Sequence, residues 1–361
     1  MRVSHVMSPG PIAGAENVVL QGCAALLDEG HVLSLIILTE ARCPRHGEQF
    51  AAAARARGVP VQSVTVDGRL DLRALAALRA TLKAADAEVV HAHGYKALVY
   101  AMLARPRSTR LAVTHHGETG HDSLARFYEA LARVLYRRVD CVFTVSNATT
   151  DALVGAGVPR AKLKTVPNPV SLPPPSDRVT HDHPDGTLLF VGRLSEEKGL
   201  DILLRALASS RAPEQLTLNV AGDGPCADRW KALGTKLGLN GKVRWLGMRD
   251  DVADLLAGAQ VLVLPSLREG LPLAVLEAAS CGVPVLASRV GGVPEAVWEG
   301  ETAVLLAPGD IEAWSKALEA LPGQTDQLQK AARRRAPEVR ARHAPKRWAE
   351  LTSQYYCEVA G

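Results

Sequence analysis

Short apolar segments alternate with alanine- and leucine-rich segments along the whole chain, and this alternation most restricts the fold. Residues 261–264 are typical of the apolar segments, and residues 72–85 are typical of the helical ones. Strands that alternate with helices form parallel sheets covered by helices on both faces, and continuous apolar strands fit such burial. The sequence therefore predicts an α/β protein with strands at 3–7, 32–38, 88–92, 110–114, 141–145, 164–166, 187–191, 217–221, 242–245, 261–265, 283–287 and 303–306.

The length and one proline-rich stretch predict two domains. A chain of 361 residues exceeds one ordinary core. Residues 167–186 contain PNPVSLPPP, which sustains neither a helix nor an inner strand, so we interpret them as a semi-rigid connector. The predicted domains are 1–170 and 171–340, with parallel sheets that face each other across a cleft. Ligands of such sheets bind at the carboxyl ends of the strands.

Composition excludes several classes of protein. Hydrophobic residues make up 47% of the chain and charged residues 22%, as in globular proteins. Six scattered cysteines without a CxxC pair indicate reduced thiols and a cytoplasmic location. No signal peptide and no apolar run of about 20 residues is visible. We expect no nucleic acid among the partners.

The strongest local signal is a pair of glutamates around a predicted helix start. The helix is expected to begin near Pro272, which leaves the amides of Leu273 and Ala274 free to bind an anion. Glu269 precedes this helix, and Glu277 lies about 7 Å inside it. A phosphate at the helix start would place a sugar near one carboxylate and a ribose near the other. The alternative is a solvated helix start with two ordinary glutamates.

Two cations follow the first strand of the second domain. Arg193 and Lys198 flank a tight turn there, where they can hold a diphosphate. The alternative is surface charge paired with Glu196 and Glu197. A GxGxxA match at 222–227 is weak, because the strand at 242–245 ends without the acid that a nicotinamide-binding site needs. An oxidoreductase is therefore disfavoured.

Residues 190–308 resemble the family 4 retaining glycosyltransferases (group 1) of the GT-B fold. The resemblance rests on VGR at 191–193, EKGL at 197–200, AGDGP at 221–225, the two glutamates, GVPVLA at 282–287 and GGVPE at 291–295. It implies that Arg193 and Lys198 bind the donor diphosphate, Glu277 the ribose, and Glu269 the donor sugar. The backbone at Met248 and Arg249 would lie against the base. Further donor contacts are expected at Gly192, Gly270, Leu271, Leu273 and Ala274.

The first domain resembles the same family more loosely. AGAE at 13–16 replaces the usual GGAE, and Gly14 would approach the donor phosphate. The family histidine near the donor sugar corresponds to His116, with His115 as the adjacent alternative. Metal binding by His91, His93 and His115 is a weaker interpretation than structural histidines. Asn168-Pro169 replaces the usual Asn-Gly and predicts a stiffer hinge. Residues 341–361 resemble the terminal helix that returns to the first domain; periodicity alone indicates a surface amphipathic helix.

The resemblance implies a hexosyltransferase that retains anomeric configuration. The sequence shows no DxD-type acidic pair at a strand end that could hold a divalent ion, so we expect a metal-independent enzyme without a cofactor. Its donor would be a nucleotide diphosphate sugar, with uridine favoured. Its acceptor would be a hydroxyl of a glycan, a glycolipid or a small molecule, as in polysaccharide biosynthesis. The alternatives are a sugar-nucleotide epimerase or phosphorylase, and a non-catalytic protein that binds nucleotide sugars.

One basic helix bears on the acceptor. The first 170 residues carry a net charge of +6, from 20 Lys and Arg against 14 Asp and Glu. Residues 126–138 predict an amphipathic helix with an apolar stripe beside several arginines. Two interpretations stay open: peripheral contact with an anionic membrane and a lipid-linked acceptor, or a core-packed helix with a solvated basic face. The apolar stripe is Phe127, Leu131, Val134 and Leu135, and the arginines are Arg126, Arg133, Arg137 and Arg138.

Overall fold

A computed structural model describes residues 1–117, 123–172, 186–211 and 216–360; in the second of these ranges, side chains are described from residue 127 onward. The chain divides into two compact units: the first is Met1–Pro169 with His343–Gly361, and the second is Val170–Arg342. The sequence places these boundaries after residues 170 and 340. Most of the predicted connector, residues 173–185, lies outside the described residues.

The first unit is built on seven parallel strands in the order β3-β2-β1-β4-β5-β6-β7. The strands are β1 (Arg2–Met7), β2 (Val32–Glu40), β3 (Val61–Val66), β4 (Val89–His93), β5 (Arg110–His115), β6 (Cys141–Thr144) and β7 (Leu163–Thr165). The helices between them are α1 (Gly14–Asp28), α2 (Pro44–Arg55), α3 (Leu72–Ala84), α4 (Tyr95–Ala104), α5 (Ser123–Tyr136) and α6 (Asn147–Gly155). The parallel α/β arrangement predicted from the sequence is confirmed in this unit.

Strand β3 is absent from the predicted strands. Its sequence, VQSVTV, alternates apolar and polar residues, and only Val64 and Val66 are buried. It lies at the edge of the sheet and pairs with β2 alone. An edge strand needs less apolar surface than an inner strand, so it lacks the continuous apolar run by which the inner strands are recognised.

The last helix of the chain packs on the first unit. This helix, α14 (Pro345–Ala360), contributes Trp348 and Tyr356 to the core on one face of the seven-stranded sheet. Its contact with α1 is close, because a Cβ at Gly22 would lie 2.6 Å from the Trp348 ring. Glycine at that position lets the indole lie against the backbone of α1. The return of the terminal helix to the first domain, implied by the resemblance, is confirmed.

The second unit contains six parallel strands in the order β10-β9-β8-β11-β12-β13. They are β8 (Thr187–Val191), β9 (Thr217–Ala221), β10 (Val243–Gly247), β11 (Val261–Leu264), β12 (Val285–Ser288) and β13 (Ala303–Leu306). The helices are α7 (Leu200–Ser209), α8 (Ala227–Lys236), α9 (Val252–Ala257), α10 (Leu273–Cys281), α11 (Val293–Ala296), α12 (Ile311–Ala320) and α13 (Thr325–Arg342). Both units are thus Rossmann-like, as predicted. Within the described ranges, no helix is both long and apolar enough to span a membrane.

Candidate functional site

Two loops meet at the carboxyl edge of the second sheet. The turn after β8 ends at Gly199, whose φ of +59° is left-handed. A Cβ at Gly199 would lie 2.4 Å from the carbonyl oxygen of Pro265, which follows β11. The amide of Leu267 donates to the carbonyl of Glu197 at 2.8 Å. Because β8 and β11 are neighbours and Gly199 permits this approach, the two predicted charged segments lie side by side.

Lys198 and Glu269 form an ion pair where these loops meet. The Lys198 ammonium donates to Glu269 Oε1 at 2.7 Å, and the Ser266 hydroxyl donates to the same oxygen at 2.7 Å. Only 8% of the Glu269 side chain is exposed, against 21% for Lys198. The sequence assigns the two residues to different parts of a donor. The structure shows that each holds the other in place, which fixes a cation at the sheet edge.

Arg193 lies in the same turn with its side chain exposed. Among the described residues its guanidinium has no ion pair or hydrogen bond. The alternative of local pairing with the two neighbouring glutamates is wrong, because Glu196 pairs with Arg229 at 2.6 Å and Glu197 accepts from Ser195 at 2.5 Å. Arg193 therefore presents its charge to solvent at the carboxyl edge.

The start of α10 differs in detail from the prediction. Pro272 has ψ of 125° and is the extended N-cap, so the helix begins at Leu273 rather than at the proline. The backbone amides of Leu273 and Ala274 find no acceptor within the described parts of the chain. Free amides at a helix start, with the helix dipole behind them, favour an anion there. The predicted anion site is geometrically available.

Glu277 lies in the second turn of α10 and is half-buried. Its carboxylate has no hydrogen bond or ion pair among the residues described. Burial raises the pKa of Glu277 to about 7, because the charged form is poorly solvated there. A carboxylate without a partner in a half-buried position can accept hydrogen bonds from the hydroxyls of a bound molecule, and these would stabilise its charged form.

The GGVPE segment shapes the loop that carries Glu269. Gly291 has φ of +50°, and a Cβ there would lie 1.9 Å from the carbonyl oxygen of Glu269. The amide of Gly292 donates to the carbonyl of Gly270 at 2.6 Å. The two glycines thus let the loop after β12 contact the backbone of the Glu269 loop directly. Gly270 and Leu271 are both buried.

The loops after β8, β9 and β10 are joined through backbone contacts. Gly222 has φ of +140°, its Cβ would lie 1.9 Å from the carbonyl of Gly192, and its amide donates to Gly247 at 2.7 Å. Gly222 of the AGDGP motif therefore allows these loops to pack closely against one another. Beyond it, Met248 is 62% exposed, while the Arg249 guanidinium forks onto Asp251 beside α9. Strand β10 ends at Gly247, two residues later than predicted.

The predicted residues of the first unit lie after two of its strands. Gly14 opens α1, and a Cβ there would meet nothing within 4 Å. His116 directly follows β5 and is half-buried. Burial lowers the pKa of His116 to about 4, so its imidazole is neutral at pH 7. The contacts predicted between these residues and a donor remain predictions.

The histidines considered as metal ligands group differently from the prediction. His91 and His93 lie with His5 of β1, and their ligand atoms all lie within 4.8 Å of one another. His115 is separate, because its Nδ1 is hydrogen-bonded to the Tyr136 hydroxyl at 3.1 Å. The sequence missed His5, which is a single histidine in an apolar strand. Its neighbour across the sheet is His91, which only the β1–β4 register reveals.

Helix α5 does not bury its predicted apolar stripe. Phe127 is 61% exposed, Val134 54% and Leu131 37%, whereas the side chain of Leu135 is half-buried. The helix faces the core mainly through Ala132 and Tyr136. The core-packed alternative is therefore wrong for three of the four stripe residues. Arg137 and Arg138 are exposed at the end of the same helix, and Arg126 lies outside the described side chains.

Comparisons with known proteins agree with this architecture. Residues 185–323 match the glycosyl transferases group 1 profile, and residues 13–169 match the glycosyl transferase 4-like domain. The D-inositol 3-phosphate glycosyltransferase of Corynebacterium diphtheriae is 37% identical over 143 residues, which cover 37% of this chain and 34% of that enzyme. A phosphatidylinositol N-acetylglucosaminyltransferase component from Arabidopsis thaliana is 27% identical over 353 residues, covering 89% of this chain and 74% of that protein.

A solved structure shows the same fold over nearly the whole chain. Anabaena HepE, crystallised with UDP and glucose, superposes with a TM-score of 0.85 at 22% identity, covering 99% of both chains. This likeness and the two all-parallel sheets confirm the GT-B fold. The family profiles match most of both units, including the loops that carry Lys198 and Glu269. The chain therefore belongs to the family 4 glycosyltransferases, the glycosyl transferases of group 1.

Proposed function

We propose that this protein transfers a hexosyl group from a nucleotide diphosphate sugar to a hydroxyl, with retention of anomeric configuration and without a metal ion. The observation that carries the proposal is the Lys198–Glu269 ion pair. It joins the turn after β8 to the loop that leads to the start of α10, where the backbone amides of Leu273 and Ala274 can bind an anion. A fixed cation and free backbone amides suit a leaving diphosphate, because they stabilise the negative charge that develops as it departs.

Each residue of this edge has a role in the proposal. Lys198 and Arg193 offset the charge of the diphosphate, together with the amides of Leu273 and Ala274. Glu277 accepts hydrogen bonds from the ribose hydroxyls, which its lack of a partner among the described residues permits. Glu269 keeps a second carboxylate oxygen for a hydroxyl of the donor sugar while its Oε1 is held by Lys198 and Ser266.

The proposed reaction proceeds on one face of the sugar. The bond from the anomeric carbon to the phosphate oxygen breaks, and the acceptor oxygen forms its new bond on the same face. The acceptor proton passes to the departing phosphate. Glu269 is a poor candidate for a covalent nucleophile, because its carboxylate is engaged by an ammonium and a hydroxyl that lower its nucleophilicity. Two cations and a helix start supply positive charge that a divalent ion would otherwise supply.

The relatives guide the choice of substrates. HepE was solved with UDP and glucose, which makes UDP-glucose the first donor to test. The corynebacterial relative is named for an inositol phosphate, and the Arabidopsis relative for phosphatidylinositol. A hydroxyl of a small polyol, a glycan or a glycolipid is therefore the proposed acceptor, and cytoplasmic membranes are the proposed place of action when the acceptor is a lipid. The proposal includes no cofactor.

A panel of nucleotide sugars tests this function. The purified protein is incubated with each donor, and release of the free nucleotide diphosphate is followed with and without added acceptors. We expect slow release with one donor, accelerated by an acceptor hydroxyl. Conversion of the sugar nucleotide to an isomer without release would favour an epimerase. Tight binding without any turnover would favour a protein that only senses the nucleotide sugar.

A further inference from the structure

A continuous chain of hydrogen bonds crosses the interior of the first unit. It links His116, His93, His5, Tyr356, His91 and Thr114, which we call the histidine chain. The contacts are His116 Nε2 to His93 Nδ1 at 3.4 Å, His93 Nε2 to His5 Nδ1 at 2.9 Å, His5 Nε2 to the Tyr356 hydroxyl at 3.4 Å, that hydroxyl to His91 Nδ1 at 2.5 Å, and His91 Nε2 to Thr114 Oγ1 at 2.7 Å.

The fold explains how these residues meet. His5 and His91 are register partners on β1 and β4, and His93 lies two residues further along β4 on the same face. Tyr356 is fully buried on α14 and reaches the sheet from the helix that covers this face. The histidine chain therefore leads from α14, through the middle of the sheet, to the carboxyl edge of the sheet at His116. That edge is where open α/β sheets bind ligands.

Burial makes the imidazoles of the histidine chain neutral at pH 7. It lowers the pKa of His5 to about 3, and it lowers the pKa values of His91 and His93 well below the usual value. A neutral imidazole donates one hydrogen bond and accepts one. The buried Tyr356 hydroxyl must also donate its proton to one of its two histidine partners. The protons of the histidine chain therefore have only two consistent orders: all hydrogen bonds are donated in the direction of Thr114, or all in the direction of His116. Choosing the order also chooses which nitrogen of His116 carries the proton.

The distances select one order. The Tyr356 hydroxyl is much closer to His91 Nδ1 than to His5 Nε2, and a phenol is a stronger donor than a neutral imidazole. Tyr356 thus donates to His91 and accepts from His5. It follows that His5, His93 and His116 each carry the proton on Nε2. His116 Nδ1, which has no partner among the described residues, is then an acceptor.

We propose that Tyr356, His5 and His93 are positioning residues that fix the tautomer and orientation of His116, so that its Nδ1 accepts a hydrogen bond from the substrate. The proposal rests on the proposed function for the identity of that substrate, a hydroxyl of the transferred sugar. The arrangement of the protons follows from the geometry of the first unit alone.

A metal ion is the competing use of the same imidazoles. The three rings offer nitrogens within 4.8 Å of one another. However, the Nε2 atom of His93 and the Nδ1 atom of His5 already face each other at 2.9 Å. All six nitrogens of His5, His91 and His93 are already hydrogen-bonded. A metal would have to break these bonds, so the geometry favours the hydrogen-bonded chain.

The test uses the full-length protein labelled with ¹⁵N-histidine, because ¹⁵N shifts distinguish the two tautomers. Tyr356→Phe leaves the Nε2 proton of His5 without an acceptor. Burying an N–H without an acceptor is costly, so the order should reverse and His116 should carry its proton on Nδ1. His5→Leu should reverse His93 and His116 for the same reason, and serves if the first variant folds poorly. We also expect kcat to fall about tenfold in both variants, with donor KM little changed.

Tyr355→Phe is the matched control, because Tyr355 precedes Tyr356 in α14. Its ring contacts Phe143 and Lys164 and forms no hydrogen bond of the histidine chain. It should change neither the His116 shifts nor kcat. His115, bonded to Tyr136, serves as an internal reference in each spectrum. Unchanged His116 shifts in both test variants would overturn the proposal, as would a stoichiometric metal bound by these histidines in the purified protein. If the His116 tautomer reverses in the variants but the wild-type protein has no transferase activity, the hydrogen bonding of the histidine chain is confirmed and the proposed function is rejected.

Discussion

Lys198 Nζ lies 2.7 Å from Glu269 Oε1, although the two residues are 71 positions apart in the sequence. The pair joins the turn after β8 to the loop before α10, and Arg193 lies in the same turn without a partner among the described residues. The two cations therefore differ in one respect that can be tested. Removing Lys198 leaves a mostly buried carboxylate without its ion pair, whereas removing the Arg193 side chain breaks no hydrogen bond or ion pair of the described residues.

Arg193→Ala should remove activity without changing stability. If its charge stabilises the leaving diphosphate, kcat/KM should fall about 100-fold or more while Tm stays within about 1 °C. Lys198→Ala should lose activity to the same extent and also lower Tm, because Glu269 is left without its ion pair. Arg205→Ala, on an exposed position of α7 in the same unit, is the matched control. Near-native turnover of either Arg193→Ala or Lys198→Ala would reject the assignment of these residues to the diphosphate.

Glu277 should make donor binding depend on pH. Ribose hydroxyls would bind its charged form, and its pKa is raised to about 7 in the unligated protein. Below that pH a proton must leave before the donor binds, so affinity for UDP-glucose should fall about tenfold per pH unit. Above about pH 7.5 the affinity should be constant. UDP-glucose is the appropriate ligand because it has no terminal phosphate that titrates in this range.

Calorimetry between about pH 5.5 and 8.5, in buffers of different ionisation enthalpy, measures both the affinity and the proton released. Glu277→Gln should bind weakly and without this pH dependence. A raised pKa also means that unligated Glu277 favours the folded state less as pH rises through about 7, so the same variant should be more stable than wild type at about pH 8. A wild-type affinity that is constant over the whole range would remove Glu277 from the ribose site.

Gly291→Ala should disturb the Glu269 loop. The variant combines a left-handed φ with a Cβ that would lie 1.9 Å from the Glu269 carbonyl, so the backbone must shift. We expect Tm to fall by about 5 °C or more, with a loss of activity below that temperature. Gly300→Ala is the control, since Gly300 also has a positive φ but nothing lies within 4 Å of its Cβ. It should cost only about 1 kcal/mol. Equal effects of the two changes would mean that the loop contact is unimportant.

The sequence predicted the positions of these residues better than their contacts. Alternating strands and helices place the ends of β8 and β11 at one edge, and the resemblance to the family assigned Arg193, Lys198 and Glu269 to one donor. The ion pair itself was not predicted, because it depends on how closely Gly199 lets two loops approach. Local sequence contains no information on that distance.

The histidine chain was hidden for a similar reason. A histidine in an apolar strand carries no periodic signal, and His5 becomes informative only when the register aligns it with His91. Tyr356 belongs to a helix whose covering of the sheet is a property of the whole first unit. The sequence also left open whether the apolar stripe of α5 is buried or exposed, because an amphipathic pattern does not show which face of a helix a neighbouring element covers.

Activity should survive exhaustive chelation. In the proposal Lys198, Arg193 and the amides at the start of α10 supply the positive charge at the leaving group, so no divalent ion is needed. Turnover is measured after dialysis against EDTA and again after addition of Mg²⁺ or Mn²⁺. We expect the same rate under all three conditions. Loss of activity with EDTA and its recovery with either ion would show that the two cations are insufficient.

Helix α5 provides the test of a lipid-linked acceptor. Phe127, Leu131 and Val134 are exposed, with Arg137 and Arg138 at the end of the same helix. Exposed apolar side chains beside basic ones suit the interface of an anionic bilayer, where each basic residue contributes about 1 kcal/mol. The protein should float with vesicles that contain phosphatidylglycerol at low salt, and should remain at the bottom of the gradient with neutral vesicles.

Charge reversal then separates this helix from the general charge of the protein. Arg137→Glu combined with Arg138→Glu should release the protein from anionic vesicles, because it replaces attraction by repulsion beside the apolar stripe. Arg55→Glu combined with Arg57→Glu makes the same change in net charge at exposed positions in and just after α2, and should leave flotation intact. If both double variants lose binding equally, the attraction is unspecific. If the wild type does not bind anionic vesicles at all, a water-soluble acceptor becomes the better proposal, because the exposed stripe then has no lipid to contact.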